Sequence, residues 1–173
     1  MSDLTVGMPD RWARLWAPHR MEYLKGENRP DSGGGEQCPF CRVQTLSDVE
    51  GLIVARGEKN FVVMNLYPYN AGHLLICSYR HVADLTELSR QEREEMLEMT
   101  SHAMLTLRKV SAPAGFNLGM NQGAVSGAGV AEHIHQHIVP RWSGDANFMP
   151  LIGQTKVMPV LLAQSRDELA QAW

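Results

Sequence analysis

The segment His133-Ile134-His135-Gln136-His137 sets three imidazoles at alternate positions. In an extended strand alternate side chains share one face, so these rings would stand roughly 6.6 Å apart, at about 3.3 Å per residue. Ile134 and Ile138 would point the other way into a core, and Gln136 lies on that second face too. Two chemistries use such a row. One is a metal centre, because histidine is a preferred transition-metal ligand. The other is covalent catalysis, in which one imidazole attacks and its neighbours orient it or bond the leaving group. A glycine-rich loop, Gly123 to Gly129, leads into the row. Such loops let backbone N–H groups approach phosphate oxygens, which favours covalent chemistry at phosphorus with His135 as nucleophile. A neutral nucleophile predicts activity that falls as pH drops below about 6.5, the unperturbed histidine value.

Cys38-Pro39-Phe40-Cys41 has the two-residue spacing of a zinc knuckle and no second Cys-x-x-Cys to complete it. The other ligands must come from the histidines. His81 follows a strand-like run, and His133 opens the histidine row. Cys38, Cys41, His81 and His133 would close a four-ligand shell, so this zinc would be structural. The competing reading is a metal-free reduced pair or a redox motif. His102 falls between apolar positions of a long helix and reads as a structural histidine, while His19 reads as exposed. Cys77 sits in an apolar run and reads as a small core residue.

These side chains need a scaffold. Three β-branched, apolar runs, 52–56, 61–66 and 73–79, read as strands. The turn Gly57 to Asn60 makes the first two a hairpin. Ser89 with Glu92 three residues on is a capping-box signature. Met96, Met99, Ala103, Leu107 and Val110 then recur at helical spacing until Pro113 and Gly115. Phe116 to Met120 is a fourth strand and His133 to Val139 a fifth, and Pro159 would open a C-terminal helix. The fold class is α+β: an antiparallel five-stranded sheet with one long helix and a C-terminal helix. Trp12, Leu15, Trp16, Met21 and Leu24 suggest an N-terminal arm, followed by a flexible linker over 26–37. The chain thus divides into an arm and linker, 1–37, and a domain, 38–173.

At 173 residues and net charge −3, with no basic tract, the chain fits one compact domain and argues against nucleic acid as partner. No run approaches the roughly 20 apolar residues of a membrane helix. The N-terminus lacks a secretion signal, and the default location is cytoplasmic. Three cysteines do not make a disulfide framework.

Taken together, these residues resemble the histidine-triad (HIT) superfamily. Its signature of histidines alternating with apolar residues is matched at His133 to Val139, with Gln136 departing from it. A second hallmark is the upstream segment Asn65-Leu66-Tyr67-Pro68-Tyr69-Asn70-Ala71-Gly72-His73. The resemblance runs from about Cys38 to Trp142. It implies an enzyme that hydrolyses, phosphorolyses or transfers nucleoside monophosphates through a nucleotidyl-histidine at His135. His137 would contact the phosphate and His73 would support the triad. Asn65 would reach the ribose or a nearby backbone group, and Asn121 and the Gly129 amide would hold phosphate oxygens. Cysteine-bearing members bind zinc through the positions matching Cys38, Cys41, His81 and His133; no organic cofactor is implied. Pro140-Arg141-Trp142, followed by Gly144-Asp145-Ala146-Asn147-Phe148, resembles the bacterial diadenosine tetraphosphate phosphorylase branch. Trp142 would there stack near the base or close the pocket mouth. Many hydrolase members carry glutamine or serine where this chain has Gly129 and Val130, so side-chain donation to the leaving phosphate must come from elsewhere. The same resemblance leaves room for a phosphoramidase or nucleotidyltransferase. A nucleotide-binding protein without turnover is the non-enzymatic alternative. Members usually form homodimers through the long helix and a sheet edge; here Met96, Met99, Met104 and the aromatic arm are the candidate contacts.

Overall fold

The structure, a computed structural model, describes residues 37–145 and 158–173. The N-terminal arm, most of the linker, His19, Asn147 and Phe148 lie outside the described residues. Five strands form one antiparallel sheet: β1 (Ile53–Arg56), β2 (Asn60–Met64), β3 (Leu74–Ser78), β4 (Gly115–Met120) and β5 (His135–Arg141). Their order is β1-β2-β3-β5-β4, so β5 enters beside β3 and leaves β4 on an edge. Helix α1 (Pro39–Val43) precedes the sheet, α2 (Arg90–Ser111) joins β3 to β4, and α3 (Leu162–Ala172) ends the chain.

Alternation along each strand divides the core between two faces. One face meets α2 and α3 through Val62, Met64, Leu74, Ile76, Met96, Leu107, Ile138 and Leu169. Gln136 points to this face and donates from Nε2 to Thr100 Oγ1 of α2 at 2.9 Å. The opposite face carries Ile53, Phe61, Val63, Leu75 and Cys77, with Phe40 and Val43 of α1 against them. Cys77 is fully buried, as its apolar run implies. The histidine side chains stand on this second face.

Helix α2 begins where its sequence signature places it. The Ser89 hydroxyl accepts from Glu92 N at 3.2 Å, and the Glu92 carboxylate accepts from Ser89 N at 2.6 Å. Arg80 binds the same carboxylate at 2.7 Å, tying the end of β3 to the helix start. The helix ends with Ala112 in left-handed geometry (φ 45°), directly before Pro113. Helix α3 starts three residues beyond Pro159. It has no side-chain cap, and its start is set by Leu162 and Leu169 meeting the core. Among the described residues no helix is long and apolar enough to cross a membrane.

Strand β5 is shorter at its start than the histidine pattern suggests. His133 precedes the strand. Strand β3 stops at Ser78, and its register against β5 ends at Cys77 opposite His135. Beyond that pair the ladder has no partner for His133; the local link is Ile134 N to Val82 O at 2.7 Å. The glycine-rich loop does not run straight into the strand either. It forms a 3-10 turn at Ala124–Ser126, flanked by Gly123 (φ 76°) and Gly127 (φ 87°), and residues 130–134 follow.

Candidate functional site

Strand alternation keeps His135 and His137 on one face, with ring centroids 5.0 Å apart. His135 is buried, 6% exposed, and its Nδ1 lies 2.8 Å from the carbonyl oxygen of His133. A carbonyl can only accept, so Nδ1 carries the proton and Nε2 keeps its lone pair. The neighbouring ring is set by a relay. Tyr69 N donates to His73 Nδ1 at 2.9 Å. His73 therefore carries its proton on Nε2, which donates to His137 Nδ1 at 3.0 Å. His137 is left with its proton on Nε2. One backbone amide thus fixes two tautomers, giving one ring with a bare nitrogen beside one with an N–H.

The turn before His73 aims this relay. Gly72 adopts φ 69°, which favours glycine, and a Cβ there would also crowd Leu107 Cδ2 at 3.0 Å. Asn65 places Nδ2 3.3 Å from His73 Nδ1 and accepts from Tyr67 N at 2.9 Å through Oδ1. It reaches a backbone group and the relay together. The Tyr69 ring stacks on His137 at 5.5 Å with planes 12° apart. Tyr69, Phe40 and the carbonyl of Ser78 are site groups that the sequence reading missed. Phe40 stands between two cysteines already marked as ligands, and that position was a usable signal.

His133 turns its side chain away from the pair. Its Nε2 donates to Ser78 O at 2.8 Å, so Nδ1 is bare and faces Cys38 Sγ at 3.3 Å, Cys41 Sγ at 3.6 Å and His81 Nδ1 at 3.3 Å. Cys41 Sγ and His81 Nδ1 are 3.4 Å apart. The ligand atoms of all four residues lie within 4.8 Å of one another. A tetrahedral shell of two nitrogens at about 2.05 Å and two sulfurs at about 2.3 Å has edges of about 3.3 to 3.8 Å. The separations of 3.3 to 3.6 Å around His133 Nδ1 and between Cys41 and His81 match those edges, and the four donors can hold a metal ion. His133 thus joins the ligand cluster, while His135 and His137 remain as a pair with ring centroids 5.0 Å apart.

Burial sets the charge states. It lowers the His133 pKa to about 4, against the opposing bond to Ser78 O. His137 is also lowered to about 4, by burial first and the neighbouring His135 second. His135 is lowered by burial, partly offset by its bond to His133 O. Burial thus favours the neutral form of all three rings near pH 7. Burial raises the Cys38 thiol, and a bound cation would reverse that by holding the thiolate.

The remaining expected residues are placed less uniformly. Asn121 and Gly129 are half-buried at the two ends of the glycine-rich loop. Trp142 is not brought to the histidine pair. It falls on the helix side of the sheet, donates from Nε1 to Ser111 O at 3.0 Å, and lines a cavity of about 290 Å³ with Gly72, Leu107 and Leu169. The physical reason is the period of the strand: position 142 alternates with His137 and shares the face of Gln136. His102 is exposed, with its ring centroid 4.3 Å from that of Trp173.

The HIT domain family profile matches residues 47–144. The chain belongs to the HIT family. Within it, the chain is 46% identical to a protein named AP-4-A phosphorylase from Mycobacterium tuberculosis, over 99% of this chain and 89% of the relative. It is 25% identical to the adenosine 5'-monophosphoramidase hnt1 of Schizosaccharomyces pombe, over 60% of this chain and 74% of that protein. A Zn-bound histidine triad family protein from Mycobacterium smegmatis has the same fold, with TM-score 0.63 and 23% identity, over 80% of this chain and 94% of that one.

Proposed function

We propose that this HIT protein is a diadenosine tetraphosphate phosphorylase working through a nucleotidyl-histidine at His135. The observation that carries the reading is the His135 ring: Nδ1 is tied to a carbonyl at 2.8 Å, so Nε2 is the nucleophile. The near-full-length likeness to a protein named AP-4-A phosphorylase supports the substrate class.

Nε2 of His135 attacks the α-phosphorus in line, the N–P bond forms, and the bond to the bridging oxygen breaks. ATP leaves with the electron pair. The His137 Nε2–H stabilises oxygen charge as it develops, with Asn121 and the Gly129 amide on the non-bridging oxygens. Asn65 meets the ribose edge while supporting His73. Inorganic phosphate then attacks phosphorus, the N–P bond breaks, and ADP leaves with His135 neutral again. We assign Trp142 to the far side of the sheet as a support for the turn carrying His73, rather than to the base.

We further propose that the four-ligand cluster holds structural zinc, which ties α1 to the end of β3. Thiolate ligands require a reducing compartment, which agrees with a cytoplasmic setting. A homodimer through edge strand β4 and α2 is also proposed. Met96 and Met99 are core residues, so the contacts fall instead to Leu97, Leu105 and Leu118, which are 65%, 61% and 47% exposed.

Product analysis tests the reaction. Incubation with diadenosine tetraphosphate should yield ADP plus ATP only when phosphate is present. AMP plus ATP without phosphate would make the protein a hydrolase. No product, with turnover of adenosine 5'-monophosphoramidate, would make it a phosphoramidase.

A further inference from the structure

Helix α1 carries more than two cysteines. Phe40 stands between them, half-buried, with its ring centroid 4.8 Å from that of His135 and 5.5 Å from that of His133. An imidazole turns about two bonds, and the second has a broad, shallow preference. One hydrogen bond at Nδ1 leaves the ring free to rock about that bond. A contact on the ring itself is needed to aim Nε2.

His133 shows the same convergence. Its side chain faces Cys38 and Cys41, and its carbonyl accepts from His135 Nδ1. Two constraints on the nucleophile, beside the contact with the His137 ring at 5.0 Å, therefore begin at the ligand cluster. Helix α1 has only five residues and no side-chain N-cap bond. So short a helix does not hold its own position. Its place is set by the cluster and by Phe40 and Val43 on the apolar face.

We propose that Phe40 is a positioning residue for His135, and that metal occupancy of the Cys38, Cys41, His81 and His133 cluster reaches the nucleophile through the Phe40 ring and the His133 carbonyl. The cluster then aligns a reactive nitrogen as well as anchoring the fold. Phe40 has this role only if His135 is the attacking residue, so the test reads the ring directly as well as turnover.

The experiment uses the full zinc-loaded chain, its Phe40→Ala, Phe40→Leu and Phe40→Tyr variants, and imidazole nitrogen NMR of His135. The expected wild-type signature is a single Nδ1–H tautomer. In Phe40→Ala that signature broadens or mixes while zinc content stays at the wild-type level. The value of kcat for diadenosine tetraphosphate with phosphate falls on the order of tenfold, with KM little changed. Phe40→Tyr, which keeps the ring, restores both. Removing zinc from the wild-type protein, at a temperature where it stays folded, reproduces the same change in the His135 signals. If Phe40→Ala does not bind zinc, Phe40→Leu, which keeps most of the volume and removes the ring, carries the comparison. Unchanged His135 signals in the ring-less variants overturn the proposal. So does a rise in KM at constant kcat, which would make Phe40 a substrate contact. A wild-type protein inert toward diadenosine tetraphosphate would sink the reaction assignment, while the NMR comparison would still decide the role of Phe40.

Discussion

A neutral imidazole has one lone pair, and its hydrogen bonds decide which edge presents it. His135 and His137 differ in this respect although they are two residues apart on one strand. The carbonyl of His133 leaves His135 with a bare Nε2, and the relay from Tyr69 N through His73 leaves His137 with an Nε2–H. His135→Ala should lower turnover by at least about a thousandfold while metal content and melting temperature stay close to wild type. Wild-type-like turnover in that variant would rule out covalent catalysis at this ring. The pH profile belongs to the same residues. With His137 at about 4 and His135 below the ordinary 6.5, the neutral forms persist at pH values where free histidine is charged. The acid limb of kcat/KM should therefore fall below pH 6.5, lower than the sequence by itself implies. A limb at or above the free-histidine value would mean that these rings are not the titrating groups.

The elements that carry these residues are held by a few polar ties. Glu92 is one of them, accepting from Ser89 N and from Arg80. Its carboxyl pKa is lowered to about 2 from the ordinary 4.5, first by the Arg80 bond. Between those values the unfolded chain binds the extra proton, so this stabilisation is present above about pH 4.5 and is lost as pH falls toward 2. Glu92→Gln should lower the urea midpoint at neutral pH and flatten its dependence on acid. An unchanged acid slope would assign acid sensitivity to other carboxylates. Ser89→Ala removes one half of the same box and should cost about 1 kcal/mol in urea unfolding. Its effect should be nearly independent of pH.

At the scale of the whole molecule, the ligand cluster joins residues distant in sequence, with Cys38 and His133 separated by 95 in residue number. Metal removal should lower stability and activity together. A loss of about 4 kcal/mol would lower the melting temperature by roughly 10 °C for a chain of this size. His133→Ala should abolish stoichiometric zinc, and full metal content in that variant would refute the ligand set. Rapid loss of activity on chelation with no change in melting temperature would instead mark the metal as catalytic. The edge strand β4 is the exposed margin of the sheet, and Leu118→Lys should shift the protein to a monomer in light scattering. An unaltered mass would place the dimer contacts elsewhere or exclude a dimer.

Much of this was legible in the residues alone, for a physical reason: short-range patterns report local structure. The capping box of Ser89 and Glu92 starts α2 in the chain as in the sequence, because both its hydrogen bonds are local. The period of two put His135 and His137 on one face, because strand geometry allows no other arrangement. The spacing of Cys38 and Cys41 pointed to a metal ligand pair, and the supply of histidines narrowed its partners. What the pattern could not hold was where the strand begins, since a ladder needs a neighbour and β3 ends at Ser78. His133 therefore lies just before the ladder, although its place beside Cys38, Cys41 and His81 is the one the sequence reading gave it, and Trp142 falls on the helix side. The tautomer of His73 and of His137 was equally out of reach. It depends on which carbonyl or amide stands beside each nitrogen, and only the tertiary fold brings Tyr69 N to His73 and His73 to His137.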